Sequence, residues 1–461
     1  MTPKRPSVLT RTALALALGL AGAGASAQSL QALYDAARGY DATYLGAQAS
    51  VQAAQARADQ ANALWLPTVG LQASSTLSRS ESSSHTVGTG VDQSQSSEVH
   101  TRSDQVGLSA SQTLFNGANS ATIRQAERGL KVAEAQLRAA EQDLIIRVAQ
   151  AYFDVLGAQD ALLTVQANKK ANAEQLASAK RNFEVGTATI TDTREAQARY
   201  DLVLAQEVAA DNDLRVKKLA LEQLVGRQGL TPRPLAAPVA LPTLAPASVD
   251  EWVNRAEAEN TAVAQARLAQ EVARLETDKA RAGHLPTVVL GATYGRSYPA
   301  GSTDTTTNGF PTTTRLGNGH SATLGVTVTV PLFAGFAVQN RVRETLSLED
   351  KARNDLEAAR RSVTQGTRSA FFGVQAGQAQ VKALEAAESS SKLALEATQL
   401  GYKVGVRVNL DVLNAQTQLF QTQRDLAKAR YDVIVGGLKL RQVAGTLAPE
   451  DVGNVNALLS N

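Results

Sequence analysis

The residues whose spacing points most directly to chemistry are two aspartates, each six positions after a glycine that follows a long helix-forming segment. Asp192 follows Gly186, and Asp411 follows Gly405. A glycine there suits the left-handed residue that ends a helix, and Asp192 with Glu195 has the spacing of a capping box. Each segment is therefore predicted to end one helix, turn and begin another. The aspartates either only cap the new helix or also line a constriction at the end of a helical tube.

Residues for covalent or metal chemistry are scarce. The chain has no Cys, which excludes disulfides, Cys-ligated zinc, iron–sulfur clusters and a Cys-linked lipid anchor. None of its four His residues lies three or four positions from another, and there is no P-loop, His-Glu-x-x-His or Gly-x-Ser-x-Gly motif. The sequence therefore predicts no enzyme, no cofactor and no metal site.

Residues 1–27 are predicted to be a secretory signal peptide. They carry Lys4, Arg5 and Arg11 but no acidic residue, then an apolar run over 13–21 and a small-residue Ala-Ser-Ala end. The net charge of +3 comes from 46 basic and 43 acidic residues, so removal of this segment leaves a neutral chain. A nucleic-acid partner is therefore not predicted, and the protein is expected to be exported to the cell envelope.

Short motifs recur at a nearly constant spacing of 218–219 residues, which predicts an internal duplication. The repeated motifs are Leu-Pro-Thr-Val at Leu66 and Leu285, Leu-Phe-x-Gly at Leu114 and Leu332, an aromatic pair at Tyr152 and Phe371, and aromatic-x-Val-Gly at Phe183 and Tyr402. The predicted organisation is a first repeat at 28–230, a Pro-rich connector at 231–247, a second repeat at 248–447 and a C-terminal tail at 448–461. A capping box of Ser248 and Glu251 is predicted to start the second repeat.

Each repeat has the pattern of helix, strand pair, very long helix, tight turn and helix. The long helices are predicted at about 118–183 and 338–402, which at 1.5 Å per residue gives roughly 100 Å of coiled coil. The strand pairs are predicted at about 65–116 and 285–334, with strands of about ten residues and one apolar face. Polar segments at 79–102 and 299–320 are predicted to be outer loops.

Four aromatic residues stand at the helix-side ends of the predicted strands. Trp65, Phe115, Phe333 and Phe336 are candidates for an aromatic girdle at a membrane interface, and packing at the strand–helix junction is the alternative. If the sheet spans a membrane, its open edges must be paired, because unpaired backbone groups in hydrocarbon cost several kcal/mol each. Closed bacterial barrels need at least eight strands and this chain has four, so an oligomer is predicted.

The duplicated plan and the two turn motifs resemble the TolC family of outer-membrane export channels. The motifs are Phe-Glu-Val-Gly-x-x-x-Ile-Thr-Asp from Phe183 and Tyr-x-Val-Gly-x-Arg-x-x-x-Asp-Val-Leu from Tyr402. The resemblance implies a mainly α fold with a small β part: a homotrimer with a 12-stranded outer-membrane β-barrel on a periplasmic α-barrel. It also implies an exit duct for efflux or type I secretion, in contact with outer-membrane lipid, a periplasmic adaptor and an inner-membrane transporter.

The resemblance further implies a gate at the helix tips. By correspondence with the family, Tyr402 would bond Asp192, and Arg407 would contact Thr191 and the region of the Gly186 carbonyl. Charge-assisted bonds of this kind contribute about 1.5–3 kcal/mol each. A few per protomer could hold a closed state that a partner opens.

Asp411 matches the first of two acidic residues that ring the tightest point of the family's channels, whereas Asn414 stands at the second. Three Asp411 carboxylates about 8 Å apart would repel by roughly 2 kcal/mol per pair at an effective dielectric near 20, and would attract cations. With Asn414 the ring has half the charge. Two other functions remain open from the sequence: a periplasmic coiled-coil adaptor that never spans a membrane, and a stand-alone cation porin.

Overall fold

The chain forms two compact units, each of which takes residues from both predicted repeats. The computed structural model describes residues 28–88, 90–236, 238–239 and 241–460, so the predicted signal peptide lies outside the described residues. Of the described residues, those within 28–49, 135–264 and 358–460 belong to the helical unit, and those within 50–134 and 265–357 belong to the strand unit.

The order of elements repeats along the chain, as the motif spacing predicts. The helices are α1 (Leu30–Arg38), α2 (Ala42–Asn62), α3 (Gly117–Glu184), α4 (Ile190–Val225), α5 (Val249–Glu259), α6 (Thr261–Arg281), α7 (Ala337–Lys403), α8 (Asn409–Val443) and α9 (Pro449–Asn456). The strands are β1 (Thr68–Gly88), β2 (Val91–Phe115), β3 (Thr287–Thr307), β4 (Phe310–Arg315) and β5 (Gly319–Thr329). The long helices α3 and α7 begin and end within one residue of their predicted bounds.

The core of the helical unit lies where α3 and α8 meet the short helices α1 and α9. Phe153 stacks on Tyr431 with ring centroids 5.5 Å apart, and Tyr152 meets Phe153 edge-on. Leu144 and Ile145 are almost fully buried beside them. These few large residues suffice because alanines allow close approach elsewhere along the helices, which accounts for an aromatic content of only 4%.

The Tyr152 hydroxyl group holds the start of the Pro-rich connector to this core. Tyr152 Oη donates to the Arg233 carbonyl at 2.9 Å and accepts from the Arg233 N–H at 2.8 Å. The connector also forms a parallel bridge between Pro232 and Gln28 and an antiparallel bridge between Leu235 and Leu459. The connector is therefore extended at Pro232 and Leu235, and none of its described residues is helical.

The structure corrects one predicted feature at the start of the second repeat, the capping box of Ser248 and Glu251. Helix α5 does follow Ser248, but the Ser248 side chain makes no capping bond. Instead, Trp252 Nε1 donates to the Pro246 carbonyl at 2.8 Å and ties the first turn to the connector. The C-terminal segment contains α9, whose Val452 and Val455 are buried in the core.

A buried ion pair joins the start of α2 to α3. The two terminal guanidinium nitrogens of Arg147, Nη1 and Nη2, donate to Asp41 at 2.7 and 3.0 Å. Asp41 also accepts from the Tyr44 N–H at 2.8 Å. Hydrogen bonding from Arg147 is the largest cause that lowers the pKa of Asp41 below its ordinary value of 3.8. Asp143 contacts the opposite, exposed side of Arg147 at 2.7 Å.

We expect Asp41→Asn to lower the free energy of unfolding by about 2–3 kcal/mol at pH 7, because Arg147 loses its buried partner. The folded-state pKa lies below the unfolded value, so the pair stabilises above pH 3.8 and its contribution is lost as the pH falls through the folded pKa. The deficit of the variant should therefore shrink in acid. Denaturant unfolding of the variant and the wild type at pH 7 and below pH 4 measures this deficit. Asp143→Asn is the control, and it should lower the free energy of unfolding by under about 1 kcal/mol. A deficit independent of pH would contradict the ion-pair explanation.

The strand unit contains one antiparallel sheet. Its order is β1-β2-β3, and both β4 and β5 pair with the far side of β3. Strands β1, β2 and β3 have 21, 25 and 21 residues, about twice the predicted length. The fourth strand position is divided into β4 and β5 by residues 316–318.

The predicted outer loops at 79–102 and 299–320 are wrong over most of their length. Strands β1 and β2 stay paired as far as Gly88 and Val91, and β3 continues to Thr307. The Ser and Thr residues of these segments favour extended structure when a neighbouring strand accepts their backbone hydrogen bonds, which a reading of composition alone does not capture. Among the described residues, no helix has both the length and the apolar composition needed to cross a membrane.

Candidate functional site

The two tip turns, which join α3 to α4 and α7 to α8, have the same backbone conformation. Gly186 has φ +76° and Gly405 has φ +79°, the left-handed values that a helix-ending glycine adopts. The N–H to C=O bonds of the first turn are Val185 to Arg181, Gly186 to Phe183, and Thr187 and Ala188 to Asn182; those of the second are Val404 to Leu400, Gly405 to Tyr402, and Val406 and Arg407 to Gly401. Each pair is 219 residues apart, so the turns are structural duplicates.

The two aspartates nevertheless have different environments. Helix α4 starts after Thr189, and the backbone N–H and hydroxyl of Thr189 donate to Asp192 at 2.9 and 2.8 Å. The Asp192 N–H returns a bond to the Thr189 hydroxyl at 3.2 Å, which completes a capping box. The predicted box of Asp192 with Glu195 is therefore wrong, because the helix begins earlier and Asp192 occupies its third position.

In the second turn Val408 stands where the first has Thr189. Val408 has no hydroxyl, and α8 begins without a side-chain cap. Asp411, the counterpart of Asp192, is therefore not drawn into capping and remains partly exposed on the first turn of α8. Arg407 Nη1 lies 3.6 Å from Asp411 Oδ2. The repeat thus keeps one aspartate for helix capping and leaves the other available.

We expect Thr189→Val to weaken the start of α4 by about 1 kcal/mol, the typical value of an N-cap. Amide exchange in its first turn should rise roughly fivefold, measured by hydrogen–deuterium exchange and mass spectrometry. Thr189→Ser keeps the hydroxyl and is the control. Val408→Thr should slow exchange in the first turn of α8, because a new hydroxyl can recruit Asp411. Equal exchange in wild type and Thr189→Val would contradict the assigned cap.

Tyr402 and Arg407 have other partners in this chain than the resemblance implies. The Tyr402 hydroxyl accepts a hydrogen bond from Asn182 Nδ2 at 3.2 Å, whereas the Asp192 carboxylate is engaged by Thr189. Arg407 lies over Gly401, where an added Cβ would sit 2.8 Å from its Cγ, and its charged end is close to Asp411. A Tyr402–Asp192 bond is not among the contacts of the described residues within the single chain.

The expected contacts of Arg407 with Thr191 and Gly186 are likewise absent from the described contacts within the single chain. The reason is geometric, because the guanidinium follows its own turn toward Asp411 on the next helix. Its side chain is 60% exposed, so most of its donors face solvent. Among the described contacts, a bond between Asn182 and Tyr402 joins the ends of α3 and α7.

Asn414 lies one turn after Asp411 and accepts a hydrogen bond from Arg199 Nη2 at 3.1 Å. Sequence analysis did not single out Arg199, although it stands seven residues after Asp192, the spacing that returns to the same helix face. Arg199 thus places a positive charge beside the position where the family has its second acidic residue. The local charge at the tip is therefore less negative than a count of aspartates indicates.

Buried polar and apolar contacts hold the two tip hairpins together. Asn409 is 2% exposed; its amide donates to the Asp192 carbonyl at 3.5 Å, and its Oδ1 accepts from Gln175. Beneath it, Leu413 packs in a small cluster with Leu176, Ala179 and Ala196. These contacts fix the position of Asp411 on α8. The described residues contain no group of three His, Asp or Glu side chains placed to hold a metal ion.

The predicted aromatic girdle lies in the strand unit. Phe115, Phe333 and Phe336 are exposed, and Trp65 is half-buried. Phe333 and Phe336 meet edge-on with centroids 5.4 Å apart, and Phe336 has φ +63°, an uncommon backbone for a bulky residue. Two large apolar rings thus point away from the protein at the junction of strand and helix.

Two long helical hairpins with duplicated tips, together with a sheet that exposes one apolar face, are features of a class of outer-membrane channel proteins. A family model described as outer membrane efflux protein matches residues 33–227 and 252–446, two ranges offset by the same 219 residues as the repeated motifs. The chain belongs to the outer membrane efflux protein family.

Relatives and solved structures agree with this assignment. The outer membrane protein TolC of Vibrio cholerae is 37% identical over 351 residues, which cover 76% of this chain and 78% of the relative. The alkaline protease secretion protein AprF of Pseudomonas aeruginosa is 33% identical over 352 residues, covering 76% and 71%. The crystal structure of the outer membrane protein VceC from Vibrio cholerae has a TM-score of 0.73 and 22% identity, covering 90% of this chain and 96% of that one.

These findings confirm the predicted family, the mainly helical duplicated fold, the outer-membrane location and the function as an efflux- or secretion-type channel. The named relatives are channel and secretion proteins rather than enzymes.

Proposed function

We propose that three copies of this chain form a passive exit duct for a tripartite efflux or type I secretion system, and that the tip turns close it at its periplasmic end. The observation that carries the proposal is the sheet. Strand β1 forms one edge and β4 with β5 the other, and neither edge is paired within the described chain. A long open edge is a template for pairing with another chain.

The number of strands supports a trimer. One chain supplies four strand positions, and three chains supply twelve, enough for a barrel with a lumen. The apolar face also fits a lipid surface, since Leu71, Leu324 and Val326 are 73%, 76% and 59% exposed. A periplasmic adaptor that stays in water would not be expected to expose such a face. This favours the duct over the adaptor alternative.

The tips supply the proposed gate. Asp411 of each copy would face the axis of the duct and favour cations, and the Asn182–Tyr402 bond would hold the two hairpins of each copy in the closed arrangement. Trp65, Phe115, Phe333 and Phe336 would lie at the membrane interface. The partners are a periplasmic adaptor and an inner-membrane transporter, which would open the tips and select the cargo. The name of the relative AprF, a protease secretion protein, supports the secretion alternative.

The duct predicts a trimer that resists extraction without detergent. We expect the purified protein to migrate in electrophoresis as a trimer that heating converts to monomer, and to form ion-conducting channels in planar bilayers. Both measurements are needed, because a coiled-coil adaptor can oligomerise but does not conduct. A stable monomer in buffer without detergent would rule out the duct.

A further inference from the structure

The charged residues of the sheet all lie on one of its faces. Side chains of a strand alternate between faces, and residues opposite one another in the register share a face. Eleven Arg, Asp, Glu and His residues with described side chains fall on the face that also carries Val69, Leu71 and Leu324. They are Arg79, Glu81, His85, Glu98, His100, Arg102, Asp104, Arg296, Asp304, Arg315 and His320.

The opposite face has no titratable residue among those described. It is formed mainly by Ser, Thr, Gln and Gly, as in the row that pairs Ser74 with Gln105 and Gln105 with Ser297. This is the face that would line the lumen of the proposed barrel. If charges served passage of the cargo, they would lie there. Their position on the other face points to a partner outside the barrel.

The charges follow the apolar residues along the strands in a definite order. The rows nearest the helices contain Val69 and Leu71 with their apolar partners. Five rows lie beyond them, in this order away from the helices. The first contains Arg296 and His320, the second Asp104 and the third Arg102. The fourth contains Arg79, His100 and Arg315, and the fifth contains Glu81, Glu98 and Asp304. A zone that is basic apart from Asp104 therefore follows the apolar band directly, and an acidic row lies beyond it.

The length of the strands explains why this zone exists. A tilted strand needs about 9–11 residues to cross a bilayer. Strands β1, β2 and β3 have 21–25 residues, so roughly half of each lies beyond the apolar band. The basic zone starts where the hydrocarbon would end. It faces the layer in which lipid headgroups lie.

The basic side chains are oriented but open to solvent. Arg79 lies between Glu81 and Glu98, at 2.8 and 3.0 Å, and is 65% exposed. Arg102 contacts Asp104 at 3.2 Å and is 60% exposed. We call Arg79, His100, Arg102, Arg296 and Arg315 the basic belt. Among the described residues, Arg296 and Arg315 have no carboxylate partner.

We propose that the basic belt binds the phosphate groups of lipopolysaccharide in the outer leaflet, on the outside of the duct. The proposal rests on the trimeric barrel of the proposed function. The guanidinium group matches a phosphate with two parallel hydrogen bonds, and arginines beside an apolar band attract anionic headgroups. The acidic row beyond the belt orients Arg79 and marks the outer limit of the binding surface. A second copy of the trimer seated on the same face is the competing occupant.

The test uses the purified full-length protein in detergent with added lipopolysaccharide. We expect the triple variant Arg79→Ser, Arg102→Ser and Arg315→Ser to bind lipopolysaccharide at least tenfold more weakly than wild type, measured by titration of the trimer's thermal stability. The matched control removes three exposed basic residues of the helices: Lys351→Ser, Arg424→Ser and Lys428→Ser. It should bind like wild type. Lipopolysaccharide stripped of its phosphates should bind all three proteins weakly.

Equal binding by the triple variant and wild type would overturn the belt, as would equal binding of phosphorylated and dephosphorylated lipid. Trimers that associate with each other through this face, with no dependence on lipid phosphate, would favour the competing occupant and also overturn it. Failure of the wild type to form heat-labile, conducting trimers would instead overturn the duct. Conductance of the triple variant should stay unchanged, because the lumen-facing side has no altered residue.

Discussion

Tyr402→Phe should shift the channel toward its open state and raise its mean conductance in planar bilayers several-fold. The Tyr402 hydroxyl accepts the hydrogen bond from Asn182 that joins the ends of α7 and α3. Loss of one such bond costs about 1 kcal/mol, and a trimer loses three. A change of about 3 kcal/mol shifts a closed–open equilibrium by roughly a hundredfold. The removed oxygen leaves the ring in place, so packing is kept.

The partner of Tyr402 can be identified by a double-mutant cycle. Asn182→Ala should raise conductance as much as Tyr402→Phe, and the double variant should conduct no more than either single one. Asp192→Asn keeps the Asn182 amide in place and should leave most of the closed state intact. If Asp192→Asn instead reproduces Tyr402→Phe and Asn182→Ala does not, the bond implied by the family resemblance holds the closed channel.

The duplication and the bounds of the long helices could be predicted from the sequence, because both leave periodic signals. The motif spacing of 219 residues recurs in the backbone bonds of the tip turns and in the start of β1 at Thr68 and β3 at Thr287. Helix α3 has no Pro and a sustained stripe of Leu and Ala, so both ends of this 68-residue helix could be predicted to within one residue. Glycine at 186 and 405 marked where the helices end.

The length of the strands could not be predicted, for a physical reason. Residues 79–102 are Ser-, Thr- and charge-rich, and such composition is compatible with a loop or with a solvated strand. What makes them strand is the pairing of β2 with two strands. One is β1, its neighbour in the sequence, and the other is β3, about 200 positions further along the chain. Charged and uncharged residues alternate along these segments, but a pattern of apolar alternation does not reveal a strand of this kind.

The tip contacts in the single chain differ from those that the family resemblance implies, because several side chains compete for each partner. Asp192 can cap its own helix or bond Tyr402, and the sequence names both possibilities without ranking them. The structure resolves the competition through Thr189, whose hydroxyl and N–H both reach Asp192. Asn182 and Arg199, which bond Tyr402 and Asn414, carry no motif of their own. Contacts between hairpins of this kind require the three-dimensional arrangement.

The asymmetry between the tips leads to the prediction with the largest expected effect on ion flow. Asp411→Ala should abolish most of the channel's cation selectivity and weaken block by a trivalent cation at least tenfold. Asp411 is not held in a capping box, and three copies would place three carboxylates around one axis. At an effective dielectric near 20, the attraction between each carboxylate and a unit positive charge 8 Å away is on the order of 2 kcal/mol. Reversal potentials in a salt gradient and titration of the block measure both effects.

Variants of the neighbouring residues separate this ring from general surface charge. Arg407→Ser removes the positive charge 3.6 Å from Asp411 and should strengthen selectivity and block. Asn414→Asp should increase cation selectivity and block by less than an unpaired carboxylate would, because Arg199 lies beside it. Val408→Thr changes no charge, yet it should weaken block by drawing Asp411 into a capping box like that of Asp192. Unchanged selectivity in Asp411→Ala would place the constriction elsewhere. Equal effects of Asp192→Ala and Asp411→Ala would show that the capping box of Asp192 does not make it less available than Asp411.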